Sequence, residues 1–406
     1  MDLVIRNASE IVTCDGPLGG PAEATLAVRR GVCVGVKSGR VAFIGPEREA
    51  PACADARIID ALGGFVGPGF VDCHTHVVFA GDRSEEFEQR CQGRTYLEIA
   101  AAGGGIARTV AATRRATEAE LVALAKPRLE RLGAQGVTTV EIKSGYGLEL
   151  AAELRMLRAI DRLREEQPLE LIATCLGLHA VPPELKERRG EWVRQCLDEL
   201  LPLVAQERLA AFCDAFVEQS AFTHDEGRAL AAKAKELGLP LRLHVDQLTA
   251  NGGAQLAAEL GAVTADHLEQ ITPEGIAAMK QAGTIAVLAP TSTLFARARP
   301  FAPGRALRDA GVPVALCTNC NPGSSNSENV SLAMGLACLE NGLTPAEAYL
   351  GFTRVGALAV QRPELGRLAV GGPADLVVFG CDSYRALPYH LAMNEAVVTL
   401  KAGRPI

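Results

Sequence analysis

Residues 65–76 read FVGPGFVDCHTH, an apolar run that stops in two histidines spaced i, i+2. A run without alternating polarity is the pattern of a strand buried on both faces. Its polar end marks the rim where such a strand meets a loop. Seven more stretches share the form: VTTVEIKSG (137–145), LELIATCLGLHA (169–180), FCDAFVE (212–218), LPLRLHVDQ (239–247), AVTADHLE (262–269), TIAVLAPT (284–291) and VPVALCTN (312–319). Helical patterns lie between them, at 118–132, 151–166, 225–237 and 273–282. Thr117 and Glu120 form a capping box ahead of the first of these. Eight buried strands alternating with helices predict an α/β fold, a (β/α)8 TIM-like barrel.

Outside this region the pattern changes. LVIRNASEIVT, VCVGVKSGRVAFIGP and ARIIDALGG near the N-terminus, and LGRLAVGGPADLVVFG and NEAVVTLKAG near the C-terminus, read as short antiparallel strands. Both chain ends are therefore expected to pair into a small β-sandwich. The predicted division is 1–64 with 365–406 for the accessory domain and 65–364 for the barrel.

Composition narrows the partners. Of 406 residues 48% are hydrophobic and 22% charged, an ordinary globular balance for a barrel with an accessory domain. The net charge of −7 comes without a basic block, which argues against nucleic acid or an anionic membrane surface as partner. The opening residues lack a basic-then-apolar leader, and the longest apolar stretch, at 285–295, is interrupted by Pro290. Twelve cysteines are scattered, with only Cys317 and Cys320 at CxxC spacing, so buried free thiols in a cytoplasmic protein are expected.

The seven histidines are placed selectively. His74 and His76 end the first strand, His179 the third, His244 the fifth and His267 the sixth. One histidine at a strand end is usually a packing or surface residue. Five on ends that converge at one rim describe a site. The i, i+2 spacing points His74 and His76 to the same side, and His244 from across the barrel completes three imidazoles for one divalent metal. Such an ion brings bound water toward ionisation near neutral pH, the requirement of hydrolysis. A proton acceptor and an electrophile are also needed. His267 is a candidate for the second role; its alternatives are a fourth ligand or a core histidine held by Asp266. The acceptor is expected at the eighth strand, where Asn319 stands.

FVDCHTH with LHVDQ and ADHLE resembles the metal-dependent amidohydrolase superfamily. The longer strings HTHVVFAGDR, YLEIAAAGGGI, EIKSGYGL, LGLHAVP, LHVDQLTANGGAQLAAELGAVTADHLE, LAPTSTLF and CNPGSS resemble imidazolonepropionases within it. The resemblance implies a barrel carrying a β-sandwich and a homodimer. It implies hydrolysis of a small molecule, 4-imidazolone-5-propanoate, to N-formimidoyl-L-glutamate in histidine degradation, with one zinc or iron ion. By motif, His74, His76 and His244 are ligands, with Asn319 at the fourth ligand position. His267, Gln247 and Asn319 take catalytic positions. Arg83 and Tyr146 would meet the propionate, Tyr96 would add a hydroxyl, and His179 would meet the ring. Asn321, Gly323 and Ser324 would hold the substrate through side chain and backbone.

Asn319 departs from the pattern, because the superfamily carries aspartate there. Asparagine offers a neutral carbonyl oxygen but cannot accept a proton at neutral pH. Loss of general-base assistance costs about 10²–10⁴ in rate. The competing readings are another amidohydrolase, such as an aromatic deaminase or other cyclic amidase, and a non-catalytic barrel that binds metal or ligand. Cys73 and Cys320 adjoin the motifs without an assigned role.

Overall fold

The computed structural model describes residues 1–51, 55–94, 98 and 104–406. Its centre is an eight-stranded parallel sheet, each strand hydrogen-bonded to the next in chain order. We number the strands β1 (Phe70–Thr75), β2 (Val137–Lys143), β3 (Glu170–Leu178), β4 (Phe212–Val217), β5 (Leu241–Val245), β6 (Thr264–His267), β7 (Ile285–Leu288) and β8 (Val314–Leu316). Nearly every strand residue is buried, which explains the unbroken apolar runs.

The ring closes where β8 meets β1. There the Thr318 amide and hydroxyl donate to Asp72 at 3.1 and 2.6 Å, and the His76 amide donates to the Cys320 carbonyl at 2.9 Å. Asp72 is fully buried, and burial pushes its carboxyl up to about 7 against these hydrogen bonds.

Helices Glu118–Ala134, Leu150–Glu166, His224–Leu237 and Pro273–Ala282 occupy the expected places. The Thr117–Glu120 capping box is present in full. Two expectations for the barrel strands are corrected. FVGPGFVDCHTH is two strands: Val66–Pro68 joins an accessory sheet and only β1 enters the barrel. Gly69 makes the hand-over, since a Cβ there would lie 2.3 Å from the Thr138 side chain. TIAVLAPT ends as a strand at Leu288, because Pro290 opens a helix to Phe295. Proline suits a first helical turn, where its missing N–H has no partner to lose.

The chain ends supply two further sheets. One has four strands drawn from the first sixty residues, and the other has six drawn from both ends. The pairing is not antiparallel throughout as expected, since Leu3–Arg6 runs parallel to Arg57–Asp60 and Ile11 pairs in parallel with Val66. Leu3, Ile5, Val34 and Val36 from the first pack against Val66, Leu376, Val378 and Leu400 from the second, giving a separate small core. The eleven cysteines among the described residues are all free thiols. Among the described residues no helix is long and apolar enough to cross a membrane.

Candidate active site

The C-terminal ends of β1, β5 and β6 bring His74, His76, His244 and His267 together. All four are about 97% buried or more. The His74 ring centroid is 5.3 Å from that of His76, 4.6 Å from His244 and 5.5 Å from His267. One ring nitrogen from each of His74, His76 and His244 falls within 4.8 Å of the others, so the three could hold a metal ion.

The hydrogen bonds decide which nitrogens are free. His74 Nδ1 donates to Asp266 at 2.6 Å and His244 Nδ1 to Asp214 at 3.1 Å. Nε2 of both rings is buried without a hydrogen-bond partner, and so is Nδ1 of His76. Buried ring nitrogens left unpaired are costly unless something fills the space between them. A borderline divalent cation takes this donor set. Burial, reinforced by Lys143 at His74 and by His179 at His76, holds both imidazoles well below their usual pKa. Burial also lowers His244, although Asp214 opposes it. The rings are therefore neutral, as ligands must be.

Beneath the histidines lies a network that the sequence reading missed. Lys143 Nζ donates to Glu141 and Asp214, each at 2.9 Å. Arg242 Nη2 donates to Asp266 at 3.1 Å and to the Cys73 carbonyl at 2.8 Å. None of these five charged side chains belongs to a residue more than 1% exposed. Burial and Arg242 oppose the charge on Lys143, yet Asp214, Glu141 and Asp266 keep its pKa above the ordinary value. The available signal was charge inside runs read as fully buried: EIK in β2 and LRLH in β5. Asp266, one alternative partner for His267, turns instead to His74.

His267 sits at φ 85°, with its Nδ1 3.7 Å from Glu269 and without a hydrogen-bond partner. Asn319 is buried with φ 49°, in the left-handed region that asparagine tolerates. Its backbone and side-chain oxygens accept from Asn321 Nδ2 at 2.7 and 3.2 Å. Gln247 is half-buried after β5 and is absent from the cavity wall. The Cys73 thiol donates to the Leu316 carbonyl at 3.5 Å in the β1–β8 seam, which is a packing role.

Above the histidines opens a cavity of about 500 Å³ whose wall includes Arg83, Tyr146, His179, Asn321, Gly323 and Ser324. His179 stacks on His76 at 5.2 Å and Tyr146 lies 5.7 Å from it, so this wall reaches the histidine cluster. His179 Nδ1 donates to the Gly145 carbonyl at 2.9 Å, and burial with His244 nearby pushes its pKa down to about 4. Nε2 is then left as an acceptor.

Arg83 gives Nε and Nη2 to one oxygen of Glu86, at 2.9 and 2.8 Å. This leaves the Nη1–Nη2 edge, which can grip a carboxylate. The edge passes so close to Gly323 that a Cβ there would lie 2.3 Å from Nη1. Arg90, Arg94 and Arg297 add positive charge to the same wall.

Asn321 spends its side chain inside its own loop. Its Oδ1 accepts from the Gly323 and Ser324 amides, both at 2.8 Å, and its Nδ2 donates to Ser324 Oγ at 3.0 Å. The backbone donors expected to hold substrate are thus committed to Asn321. Tyr96 lies outside the described residues.

The sequence model described as the amidohydrolase family matches residues 80–406. The imidazolonepropionase of Myxococcus xanthus is 59% identical over 407 residues, covering 100% of this chain and 97% of that protein. The imidazolonepropionase of Geobacillus kaustophilus is 42% identical, covering 100% and 97%. Among solved structures, a 5-methylcytosine deaminase from Klebsiella pneumoniae superposes with a TM-score of 0.76 at 17% identity, covering 100% of this chain and 98% of its own. A zinc-bound adenosine deaminase from Xanthomonas campestris gives 0.72 at 19%, covering 100% and 92%. At such identities the structural likeness speaks for the fold alone.

Proposed function

Since the chain belongs to the imidazolonepropionase family of metal-dependent amidohydrolases, we propose that it hydrolyses the cyclic amide of 4-imidazolone-5-propanoate to N-formimidoyl-L-glutamate, a step of histidine degradation. Water adds its oxygen to the ring carbonyl carbon, the carbon–nitrogen bond breaks, and the leaving nitrogen takes a proton. The observation that carries the reading is the meeting of three buried imidazoles, each with an unpartnered nitrogen, with a cavity walled by arginine.

A divalent ion, zinc or iron, held by His74, His76 and His244 with the Asn319 oxygen at the fourth position, would supply the Lewis acidity that makes water nucleophilic near neutral pH. The remaining work falls to the chain's own groups. Arg83 offers its outer edge to the propionate, and Tyr146 adds a hydroxyl near it. His179 presents a neutral acceptor to the ring, and Ser324 adds a hydroxyl. Asn319 cannot take a proton, so proton traffic at the reacting carbonyl rests on His267, and turnover is slower than with aspartate in that place. Gln247 is assigned to the reacting face from the loop after β5.

The deaminase reading is not favoured. The full-length relatives carry the imidazolonepropionase name, and the arginine-rich wall suits a substrate bearing a carboxylate. We also take 65–364 as the hydrolase unit and 1–64 with 365–406 as the accessory domain, Val66–Pro68 being the strand by which the hydrolase unit enters the accessory sheet, in a cytoplasmic homodimer. Metal analysis of the purified chain, combined with a spectroscopic assay of imidazolone propionate loss, tests the function. About one ion per chain and measurable turnover are expected. No metal and no substrate binding would overturn the assignment.

A further inference from the structure

Glu153 lies in the first turn of the helix Leu150–Glu166 and is fully buried. A carboxylate at a helix N-terminus ordinarily bonds its own helix or faces water. This one turns backward into the loop after β2. Its two oxygens accept the backbone amides of Gly145 at 2.9 Å, Gly147 at 2.7 Å and Leu148 at 2.8 Å. The Ser144 hydroxyl also bonds to it, and Ser144 Oγ accepts the Leu176 amide of β3 at 3.0 Å. One side chain therefore ties the whole turn 144–148 to the neighbouring strand.

That turn carries two groups of the proposed substrate wall. Tyr146 is its apex, and the Gly145 carbonyl accepts His179 Nδ1, which decides the direction in which Nε2 points. The glycines permit the arrangement. Gly145 has φ 102°, and a Cβ on it would come within 2.8 Å of the Leu176 carbonyl and 2.9 Å of His179 Cβ. A Cβ on Gly147 would lie 2.6 Å from the Glu153 amide. From outside, Arg114 donates to the carbonyls of Gly147 and Leu148 at 2.7 and 2.6 Å. With the carboxylate gathering N–H groups and the guanidinium gathering C=O groups, the turn is held from both sides.

We propose that Glu153 is a positioning residue for substrate binding, fixing Tyr146 through the flanking Gly145 and Gly147 amides and His179 through the Gly145 carbonyl. The inference rests on the reading of those two residues as substrate contacts. Glu153 touches neither the reacting carbonyl nor the metal-ligating histidines, so its loss should weaken binding and leave the chemical step nearly intact.

The test uses the full-length, metal-loaded protein and imidazole propanoate, which carries the ring and carboxylate but no scissile carbonyl. Glu153→Gln is expected to raise KM and the Kd for this probe about tenfold, with kcat within about threefold and metal content unchanged. In a cycle with Tyr146→Phe, the two effects on Kd should fall well short of multiplying, because one residue acts partly through the other. A folded, metal-loaded variant with KM and Kd within about twofold of the parent overturns the proposal. Fully multiplicative effects do so as well.

Amide hydrogen exchange on the unaltered protein without substrate reads the clamp independently of any variant. Gly145, Gly147 and Leu148 should exchange at least about a hundredfold more slowly than free peptide amides. Free-peptide rates there overturn the clamp, even if Glu153→Gln does not fold. Failure of the unaltered protein to bind the probe, with those amides protected, counts against the substrate reading and identifies the fault as lying there.

Discussion

At the scale of single residues, Asn319 is the position where side-chain chemistry and neighbouring structure part company. Its backbone sits in the left-handed region and its oxygens are engaged by Asn321, geometry that an aspartate could also adopt. What it lacks is basicity. Replacing Asn319 with Asp should raise kcat at least about tenfold, measured by the decay of imidazolone propionate absorbance. An unaltered protein already as fast as that variant would remove the proton-transfer account of this residue. His179 gives a prediction of a different kind. Its pKa is pushed down to about 4, so the folded protein keeps it neutral while an ordinary histidine would charge near 6.5. Protonation removes the Nε2 acceptor only as pH falls toward that depressed value. KM should therefore show no inflection from His179 between about pH 5 and 8 and should rise below that range. An inflection near 6.5 that disappears in His179→Gln would contradict the assignment. The sequence made both residues visible, since each stands where an apolar strand ends.

At the scale of elements, local patterns predicted structure well where the deciding forces are local. Thr117 and Glu120 satisfy each other's donors across one helical turn, and the box forms as read. Thr117→Ala should cost about 1 kcal/mol in denaturant unfolding with kcat unchanged, because the box is exposed and its hydrogen bonds join only Thr117 and Glu120. Patterns failed where two elements share one apolar run. VGPGFVD shows no break in hydrophobicity, yet Val66–Pro68 and β1 belong to different sheets. The division is made by the fit of Gly69 against Thr138, a contact between residues distant in sequence. The loop after β2 follows the same logic. GYG announces a turn, but its shape comes from Glu153 and Arg114 on flanking helices.

At the scale of the whole molecule, the proposed metal site would also be a stability element. His74, His76 and His244 come from β1 and β5, on different parts of the ring, so an ion that binds only the folded chain stabilises the closed barrel. The gain is about 2.7 kcal/mol when free ion stands at roughly a hundred times Kd. Chelation should accordingly lower Tm by a few degrees in a calorimetric scan, with recovery on adding back zinc or iron. An unchanged Tm after verified metal loss would separate the ion from folding. The amino-acid sequence by itself determined the barrel, the rim residues, the sandwich from both chain ends and the missing basicity at position 319. These depend on strand burial, on where each strand ends, and on the identity of single side chains. Only the tertiary structure decided which nitrogen each histidine presents. Asp266 reaches His74 across 192 residues of sequence and Asp214 reaches His244 across 30, with Lys143 and Arg242 beneath them. The physical reason is that a tautomer is chosen by its hydrogen-bond partner, and in a closed barrel that partner comes from a strand the local sequence cannot name.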